Sequence, residues 1–420
     1  MALEVNITTG AWYGDKELTL DFPDDWDVSI YESKEVKALD ESDIERSFLE
    51  PIGTKNIKQL AHGKKNAVII VDDLSRPTPV HLVIPKILNE LIEGGIKEES
   101  ICFVIGGGSH RPLNRDEMAK KIGDAIVSKY RIYNHNFFSK TLDNLGHLDD
   151  GTPMYINEIV THSDLKLAIC GIIPHDSVGF GGGCKIILPG VAGYGTIAHN
   201  HSKYKSRGRG NVERQGEEKD MRDNVEEVAR YVGLDFTVNM VLTKKRKIAG
   251  LFMGDAIESY REGAIFAKNV YDTVIAKGDV ETTDIVFVNA YPQDSDPAQM
   301  GKSMWPFGVF KNAQKVMIDQ ASDGINYHGL GHKMDYDSFL KIKENEPEPN
   351  NIPEKAEIGS KADFVLLSSN FPKCDFYRNY PNGALFDNWE DLVTQLKQLY
   401  HKPRVAVIPY SPIQLPHILT

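Results

Sequence analysis

Short apolar segments with strand character recur along the 420-residue chain. Each is a nearly continuous run rich in Val, Ile and Leu, which is the pattern of strands buried on both faces of a parallel sheet. The segments are NAVIIV (66–71), SICFVI (100–105), LKLAIC (165–170), DIVFVN (284–289), DFVLL (363–367) and RVAVI (404–408). Helix-period stretches lie between them, so the sequence predicts an α/β fold: two α/β domains with mostly parallel sheets.

The clearest helical stretch lies between residues 80 and 91. Its apolar positions follow the spacing of one helix face: Val80, Val83, Ile84, Ile87, Leu88 and Leu91. Thr78 is a predicted N-cap and Pro79 a predicted first helical residue, while Pro85 indicates a kink or a later start. A second, longer helix is predicted over 256–277. We place the domain boundary there, with a catalytic, cofactor-anchoring domain at 1–270 and a C-terminal domain at 278–420.

Composition excludes several classes of function. The net charge is -12 and no basic block exceeds KYKSRGRG at 203–210, so a nucleic-acid footprint is not expected. The first thirty residues do not resemble a signal peptide, and the apolar runs are too short to cross a bilayer. The four cysteines are scattered along the sequence, a pattern that predicts reduced thiols rather than disulfides. The sequence therefore predicts a cytoplasmic protein without membrane contact.

Polar side chains follow three of the predicted strands, where ligands bind in open α/β sheets. DDLSRPTP comes after the first strand and places Asp73 and Arg76 in a turn ahead of a helix, where Arg76 suits a carboxylate or phosphate. GGGSHRP brings His110 after the second strand, and GIIPHDS brings His175 after the third. Taken singly, such residues are more often exposed or structural. Their coincidence at successive strand ends predicts a shared cleft that also receives Lys185.

The stretch FGGGCKIILPG, residues 180–190, surrounds Lys185 with glycines and an apolar run. A phosphate-binding P-loop needs Ser or Thr after the lysine, whereas Ile186 stands there. A dinucleotide fingerprint fails in GGGSHR, because Arg111 replaces the last glycine. Partial desolvation of Lys185 would lower the pKa of its amine and make it a nucleophile. The surroundings of Lys185 therefore predict a covalently anchored cofactor.

Two further polar groups are candidates for binding. In AHNH, His199 and His201 are two residues apart, so on an extended segment only one of them would reach a given metal. Gln299 and Lys302 in AYPQDSDPAQMGKSMW are three residues apart, hence on one face if that segment is helical, and could bind a carboxylate or hydroxyl from the second domain. This predicts an interdomain active-site cleft. The loop NYHGLGHK, with two more histidines at 328 and 332, is predicted to be a surface loop.

Taken together and in order, these motifs resemble the lactate racemase family of nickel-pincer nucleotide-dependent 2-hydroxyacid racemases and epimerases. The matching pieces are DDLSRPTP, GGGSHRP, PHDSVGFGGGCKIILPG, HNH and YPQDSDPAQMGKS, spread over residues 72–303. The resemblance implies a pyridinium mononucleotide with two thio-carboxyl groups, tethered to Lys185, with nickel held by carbon, two sulfurs and one histidine. It implies a 2-hydroxy acid, lactate or a larger analogue, as substrate, and cofactor-biosynthesis proteins as partners.

The resemblance also implies a role for each matching residue. His110 and His175 correspond to the two acid/base histidines, and Arg76, Gln299 and Lys302 to the substrate-binding residues. His201 corresponds to the nickel ligand, with His199 in reserve. The implied cofactor contacts are Lys185, Asp73, Gly182, Gly183, Pro189 and Gly190. In such a reaction one histidine removes the hydroxyl proton while the α-hydride moves reversibly to the cofactor, and imidazole, with a pKa of about 6.5, suits both directions.

Two alternatives remain at the level of sequence. Lys185 could form a Schiff base with a carbonyl substrate without any metal. The chain could also be a non-catalytic nucleotide-binding protein on the same fold, although binding alone does not require two histidine bases.

Overall fold

The computed structural model describes residues 3–324, 352–359 and 362–419. The histidines at 328 and 332 lie outside these residues. The chain divides into two compact units. One, the N-terminal unit, contains residues 35–270; the other, the C-terminal unit, contains the first 34 residues and the described residues from 271 onwards. Residues 3–34, which the sequence assigned to the N-terminal domain, pack with the C-terminal unit, and so do residues 271–277, which the sequence assigned to neither domain. The predicted interdomain cleft stays a prediction.

The strands account for all six predicted apolar segments, with ends within two residues of those predicted. In chain order they are β1 Leu3–Thr9, β2 Lys16–Phe22, β3 Asp27–Ile30, β4 Ala67–Val71, β5 Ile101–Ile105, β6 Arg131–Asn134, β7 Leu142–His147, β8 Pro153–Asn157, β9 Leu165–Gly171, β10 Pro174–His175, β11 Gly179–Phe180, β12 Phe236–Leu242, β13 Ile248–Gly254, β14 Asp272–Ala276, β15 Ile285–Asn289, β16 Gln314–Ile318, β17 Val365–Leu367, β18 Ala384–Phe386, β19 Arg404–Ile408 and β20 Leu415–Leu419.

Each unit is built on a six-stranded sheet. In the N-terminal unit the order is β13-β12-β9-β4-β5-β6, and only β13 runs antiparallel to its neighbour. In the C-terminal unit the order is β18-β17-β16-β15-β19-β3, and all neighbours are parallel. The predicted α/β class with mostly parallel sheets is confirmed. Strand β3 explains why the first residues join the C-terminal unit. It pairs with β19, and the paired residues Asp27 and Arg404 are 377 positions apart, so local sequence carries no sign of the pairing.

The helices separate the strands as the alternating pattern predicts. They are α1 Glu41–Leu49, α2 Ile57–Ala61, α3 Ile84–Glu93, α4 Arg115–Ile122, α5 Asp124–Lys129, α6 Glu158–Thr161, α7 Tyr194–Lys203, α8 Met221–Val232, α9 Glu258–Val270, α10 Lys277–Thr282, α11 Trp305–Val309, α12 Lys373–Asn379 and α13 Trp389–Leu399. Short 3-10 helices cover Val80–Leu82, Glu98–Ser100, Gly183–Ile186, Pro297–Ser303 and Ser411–Ile413. None of the helices in the described ranges is both long and apolar enough to cross a membrane.

Two predicted helices have different ends in the structure. The later start that Pro85 indicated is found, since α3 begins at Ile84 and Pro85 occupies its first turn, where its missing N–H costs nothing. Thr78 does not cap it but donates to Asp72 Oδ2 at 2.7 Å. The predicted helix over 256–277 stops at Val270, because the β-branched residues that follow form β14 and pair with β20.

The core of the N-terminal unit holds the lysine-bearing stretch in place. Cys184, Ile186, Ile187 and Leu188 are buried with side chains of β4, β5, β9 and α8 in one apolar cluster. Lys185 is therefore the one polar side chain in a segment anchored on both sides by core residues. Such anchoring restricts the positions available to its amine.

Candidate active site

The turn after β4 carries the first group of predicted site residues. Asp73 accepts two hydrogen bonds at Oδ1, from Ser75 N at 3.1 Å and from Ser75 Oγ at 2.5 Å. Arg76 closes the turn through its N–H to the Asp73 carbonyl and donates from Nη1 to Ser75 Oγ at 2.8 Å. Ser75 thus links the carboxylate to the guanidinium. It was not predicted, because a serine in a turn carries no distinguishing signal.

His110 is bound to Asp73. Its Nδ1 lies 2.6 Å from Asp73 Oδ2; the Asp73 side chain is buried and that of His110 is 14% exposed. Burial alone would raise the pKa of Asp73, but His110, Arg76 and Ser75 together hold it well below its usual value. Asp73 is therefore a carboxylate in the folded protein. A carboxylate accepts hydrogen bonds only, so it fixes the proton of a neutral His110 on Nδ1 and leaves Nε2 as the basic nitrogen.

Helix α4 holds both loops that meet at this pair. Arg111, next to His110, forms a bidentate ion pair with Glu117 at 2.6 and 2.8 Å. One turn later on the helix, the fully buried Lys121 pairs with Asp72 Oδ1 at 2.6 Å and donates to the Arg76 carbonyl at 3.0 Å. Lys121 was missed from sequence, since a lysine on a short charged helix is normally a surface residue.

The His110 loop packs directly on the lysine-bearing stretch. Gly108 donates its N–H to the Gly190 carbonyl at 2.9 Å, and a Cβ on Gly108 would lie 3.2 Å from Pro189. A Cβ on Gly106 would lie 3.1 Å from Ile186. The structure therefore brings Asp73, His110 and the segment around Lys185 together, as the parallel strand ends predict.

Lys185 lies in the 3-10 helix Gly183–Ile186 and is partly buried. Its side-chain amine makes no hydrogen bond or ion pair with any residue that the structure describes. Burial lowers its pKa to about 7, with further lowering from the positive charges of Arg76 and Arg222, while Asp73 acts in the opposite direction. A lysine in this state has a large fraction of uncharged amine near neutral pH. That is the property required of a nucleophile.

His175 ends the short hairpin strand β10, which pairs with β11 just ahead of the glycine run. The Ser177 N–H donates to His175 Nδ1 at 3.2 Å. Because a backbone N–H can only donate, a neutral His175 carries its proton on Nε2. His110 and His175 therefore have opposite tautomers when neutral, with the proton on Nδ1 of His110 and on Nε2 of His175.

His199 and His201 lie on helix α7 rather than on the extended segment assumed from sequence. Two helical positions two residues apart are about 200° apart around the axis, so the inference that only one reaches a given metal is unchanged. His201 is exposed, and its Nδ1 lies 2.9 Å from the Ile197 carbonyl, which places the Nδ1 proton there. His199 Nε2 is buried without a hydrogen-bond partner within the described residues.

Gln299 and Lys302 belong to the C-terminal unit. They lie on the 3-10 helix Pro297–Ser303 after β15, and Lys302 Nζ donates to Gln299 Oε1. The prediction that they share one face is confirmed. Gln299 is buried and Lys302 is half-buried.

The glycines of the predicted cofactor site have structural roles of their own. A Cβ on Gly190 would lie 2.0 Å from the Ile186 carbonyl oxygen, and one on Gly183 would lie 2.8 Å from Tyr260 Cβ. Gly182 adopts φ +86°, in the left-handed region. Chain packing and backbone conformation therefore account for these glycines, and their contact with a cofactor stays a prediction.

Cys184, beside the lysine, is a packing residue. It is 1% exposed, and burial raises the pKa of its thiol to about 12. Its Sγ lies 3.8 Å from the Ala256 carbonyl. A thiol this hard to ionise is a poor nucleophile and a poor metal ligand.

Comparison with known proteins relates this chain and its fold to lactate racemases. The lactate racemase N-terminal domain model matches residues 13–211. A lactate racemase of Lactiplantibacillus plantarum is 31% identical over 331 residues, 76% of this chain and 76% of its own length. A lactate racemase of Thermoanaerobacterium thermosaccharolyticum is 32% identical over 303 residues, 70% of this chain and 69% of its own length.

Two solved structures share the fold. The lactate racemase apoprotein of Thermoanaerobacterium thermosaccharolyticum aligns with a TM-score of 0.71 at 24% identity, covering 98% of this chain and 100% of that one. A Thermotoga maritima protein from a structural genomics programme aligns with a TM-score of 0.59 at 20% identity, covering 86% and 97%.

The fold and the sequence relatives define an isomerase of the racemase type. The chain belongs to the lactate racemase family.

Proposed function

We propose that the protein racemises or epimerises a 2-hydroxy acid, lactate or a larger analogue, with a nickel-pincer nucleotide tethered to Lys185. The single observation that carries this proposal is the Lys185 amine, which has a pKa of about 7 and lies in a stretch packed on the His110 loop. Family membership supports the reaction type. The lysine supports a covalent cofactor, because a partly buried amine without a partner among the described residues is otherwise costly to maintain.

The residues present fit such a cofactor. Lys185 would hold it covalently, and His201 would hold the nickel through Nε2, because its Nδ1–H is directed to the Ile197 carbonyl as is usual for metal-binding histidines. Asp73, Gly182, Gly183, Pro189 and Gly190 are the proposed surroundings. Once bound, the cofactor would accept the substrate α-hydride and return it to either face. Proteins that synthesise the cofactor are the proposed partners of the chain.

Proton transfer in this proposal belongs to His110 and His175. With its proton held on Nδ1 by Asp73, His110 can take the substrate hydroxyl proton at Nε2. A protonated His175 can supply a proton from Nε2 and becomes neutral, with Nδ1 then accepting from the Ser177 N–H. After a turnover His110 is protonated and His175 is neutral, so the two protonation states are exchanged and each enantiomer meets a base and an acid.

Arg76, Gln299 and Lys302 are the proposed substrate-binding residues. The guanidinium of Arg76 is oriented by Ser75 and by the nearby carboxylate of Asp73, and a guanidinium binds a carboxylate with two parallel hydrogen bonds. Lys302 and Gln299 form one polar group that could bind a second substrate oxygen.

A second candidate function is a metal-free Schiff-base reaction at Lys185. The lowered pKa of this amine also favours attack on a carbonyl substrate. Borohydride trapping of a 2-keto acid on Lys185 in nickel-free protein that turns over substrate would support this candidate over the first.

The proposal is tested by intact mass spectrometry and metal analysis after co-production with cofactor-synthesis proteins. Wild type and a Lys86→Ala control should carry the cofactor adduct and about one nickel per chain, as a single site requires. Lys185→Ala should carry no adduct. Active wild-type protein with neither adduct nor nickel would overturn the proposal.

A further inference from the structure

Arg222 is a buried cation beneath the lysine-bearing turn. It lies on helix α8 and is 0% exposed. Its Nη1 donates to the Gly182 carbonyl at 3.1 Å, and its guanidinium carbon lies 3.4 Å from the centre of the Tyr260 ring. Tyr260 in turn donates to the Phe180 carbonyl at 3.3 Å. The arginine and the tyrosine therefore form a platform on which the turn at 180–183 rests.

The glycine at position 183 is what allows this arrangement. Gly183 adopts φ +56°, and a Cβ there would lie 2.9 Å from Arg222 Nη2, 2.8 Å from Tyr260 Cβ and 3.0 Å from the Ala256 carbonyl. The third glycine of the run thus makes room for the guanidinium rather than for free movement of the chain. Arg222 Nη2 itself has no hydrogen-bond partner within the described part of the chain.

Arg222 shares its counter-charge with a second arginine. Its one carboxylate partner within the described residues is Glu226, with Nε to Oε1 at 3.2 Å. The other oxygen of Glu226 accepts from Arg261 at 3.3 Å, so one buried carboxylate serves two guanidinium groups. Burying an arginine in this way is expensive, which suggests a role beyond packing.

The charged groups that act on Lys185 are Arg222, Arg76 and Asp73. Arg76 and Arg222 are cations, one before and one after the stretch 180–190 in the sequence. Asp73 is an anion that is already bound to His110. The excess of positive charge adds to the effect of burial and lowers the pKa of Lys185.

We propose that Arg222 is a positioning residue for Lys185: its hydrogen bond to Gly182 holds the lysine-bearing turn, and its buried charge opposes a second cation at the amine. The uncharged amine has the lone pair that a covalent tether needs. This role matters for catalysis only if Lys185 is the tether proposed above. Its effect on the amine, however, is a property of the chain alone.

The test is the pH dependence of Lys185 acetylation in cofactor-free protein, followed by peptide mass spectrometry with limiting acetic anhydride. The amine forms an amide and acetate leaves, so the rate reports the uncharged amine. The wild-type midpoint should lie near pH 7. Arg222→Gln should raise it by about one pH unit or more, as loss of a nearby charge predicts. Glu226→Gln, which removes the counter-charge, should move it in the opposite direction.

Three further results complete the design. Arg222→Lys, which keeps the charge, should stay closer to wild type than Arg222→Gln. The control Arg230→Gln removes an exposed charge from the same helix and should leave the midpoint unchanged. Misfolding would not move two variants in opposite directions, and circular dichroism checks each fold. An unshifted midpoint in folded Arg222→Gln overturns the inference but leaves the proposed function standing; a missing adduct on Lys185 overturns the function alone.

Discussion

Replacing Asp73 by Asn tests whether the Asp73 carboxylate fixes the tautomer of His110. The wild-type carboxylate accepts from His110 Nδ1 at 2.6 Å and fixes the tautomer with a basic Nε2. An asparagine can offer its amide N–H to Nδ1 instead, which moves the imidazole proton to Nε2 and removes the base. General acid–base catalysis contributes about 10²–10⁴-fold, so we expect kcat/KM to fall by about 10²-fold or more. That factor corresponds to about 2.7 kcal/mol of transition-state stabilisation.

The assay measures kcat/KM for both enantiomers of a substrate with cofactor-loaded protein. Both values should fall by the same factor, because the equilibrium constant of a racemisation does not depend on the enzyme. Nitrogen NMR of labelled histidines should show the proton of His110 moving from Nδ1 to Nε2. The control Asp116→Asn changes an exposed carboxylate on α4 and should have no effect. A folded Asp73→Asn protein with full activity in either direction would refute the reasoning.

Three other variants test the surroundings of the site. Lys185→Met should stabilise cofactor-free protein at pH 6. This gain should fade as pH rises from about 7 towards 10.5, because over that range only the unfolded lysine keeps its proton. Urea unfolding at pH 6 should show a gain of about 2 kcal/mol in the free energy of unfolding, since partial solvent contact reduces the upper bound of about 5 kcal/mol. Lys121→Gln leaves Asp72 without its ion pair, so it should cost about 3 kcal/mol and raise KM through the Arg76 turn; an unchanged KM would make the contact purely structural. Gly190→Ala would place a Cβ 2.0 Å from Ile186 O and should lower Tm clearly, unlike Gly278→Ala, which meets nothing within 4 Å; equal Tm values would contradict this packing argument.

The central strands could be predicted because each is marked by an apolar run within the strand itself. The runs that became β4, β5, β9, β15 and β19 are almost entirely apolar, as is typical of strands covered on both faces. The pairings of β3 with β19 and of β14 with β20 were not predictable, since each joins distant segments. The strand β14 was instead taken as the end of a helix.

The site residues likewise divide into those that local sequence predicts and those that it does not. Asp73, His110 and Lys185 could be brought together on paper, because each follows a strand and parallel strands end at one edge. Lys121 and Arg222 could not, because buried charges on helices look like surface charges in sequence. Arg222 did carry one sign: it occupies the same helical register as the buried Val225, Ala229 and Val232.

The most direct test of the central claim is the fate of enantiopure 2-hydroxy acids incubated with cofactor-loaded protein. A panel of D- and L-acids that begins with lactate and extends to larger analogues is followed by chiral chromatography. We predict that for at least one acid both enantiomers converge on the same mixture, and that Lys185→Ala abolishes this. Protein that carries the adduct and nickel but interconverts no acid of the panel would contradict the account.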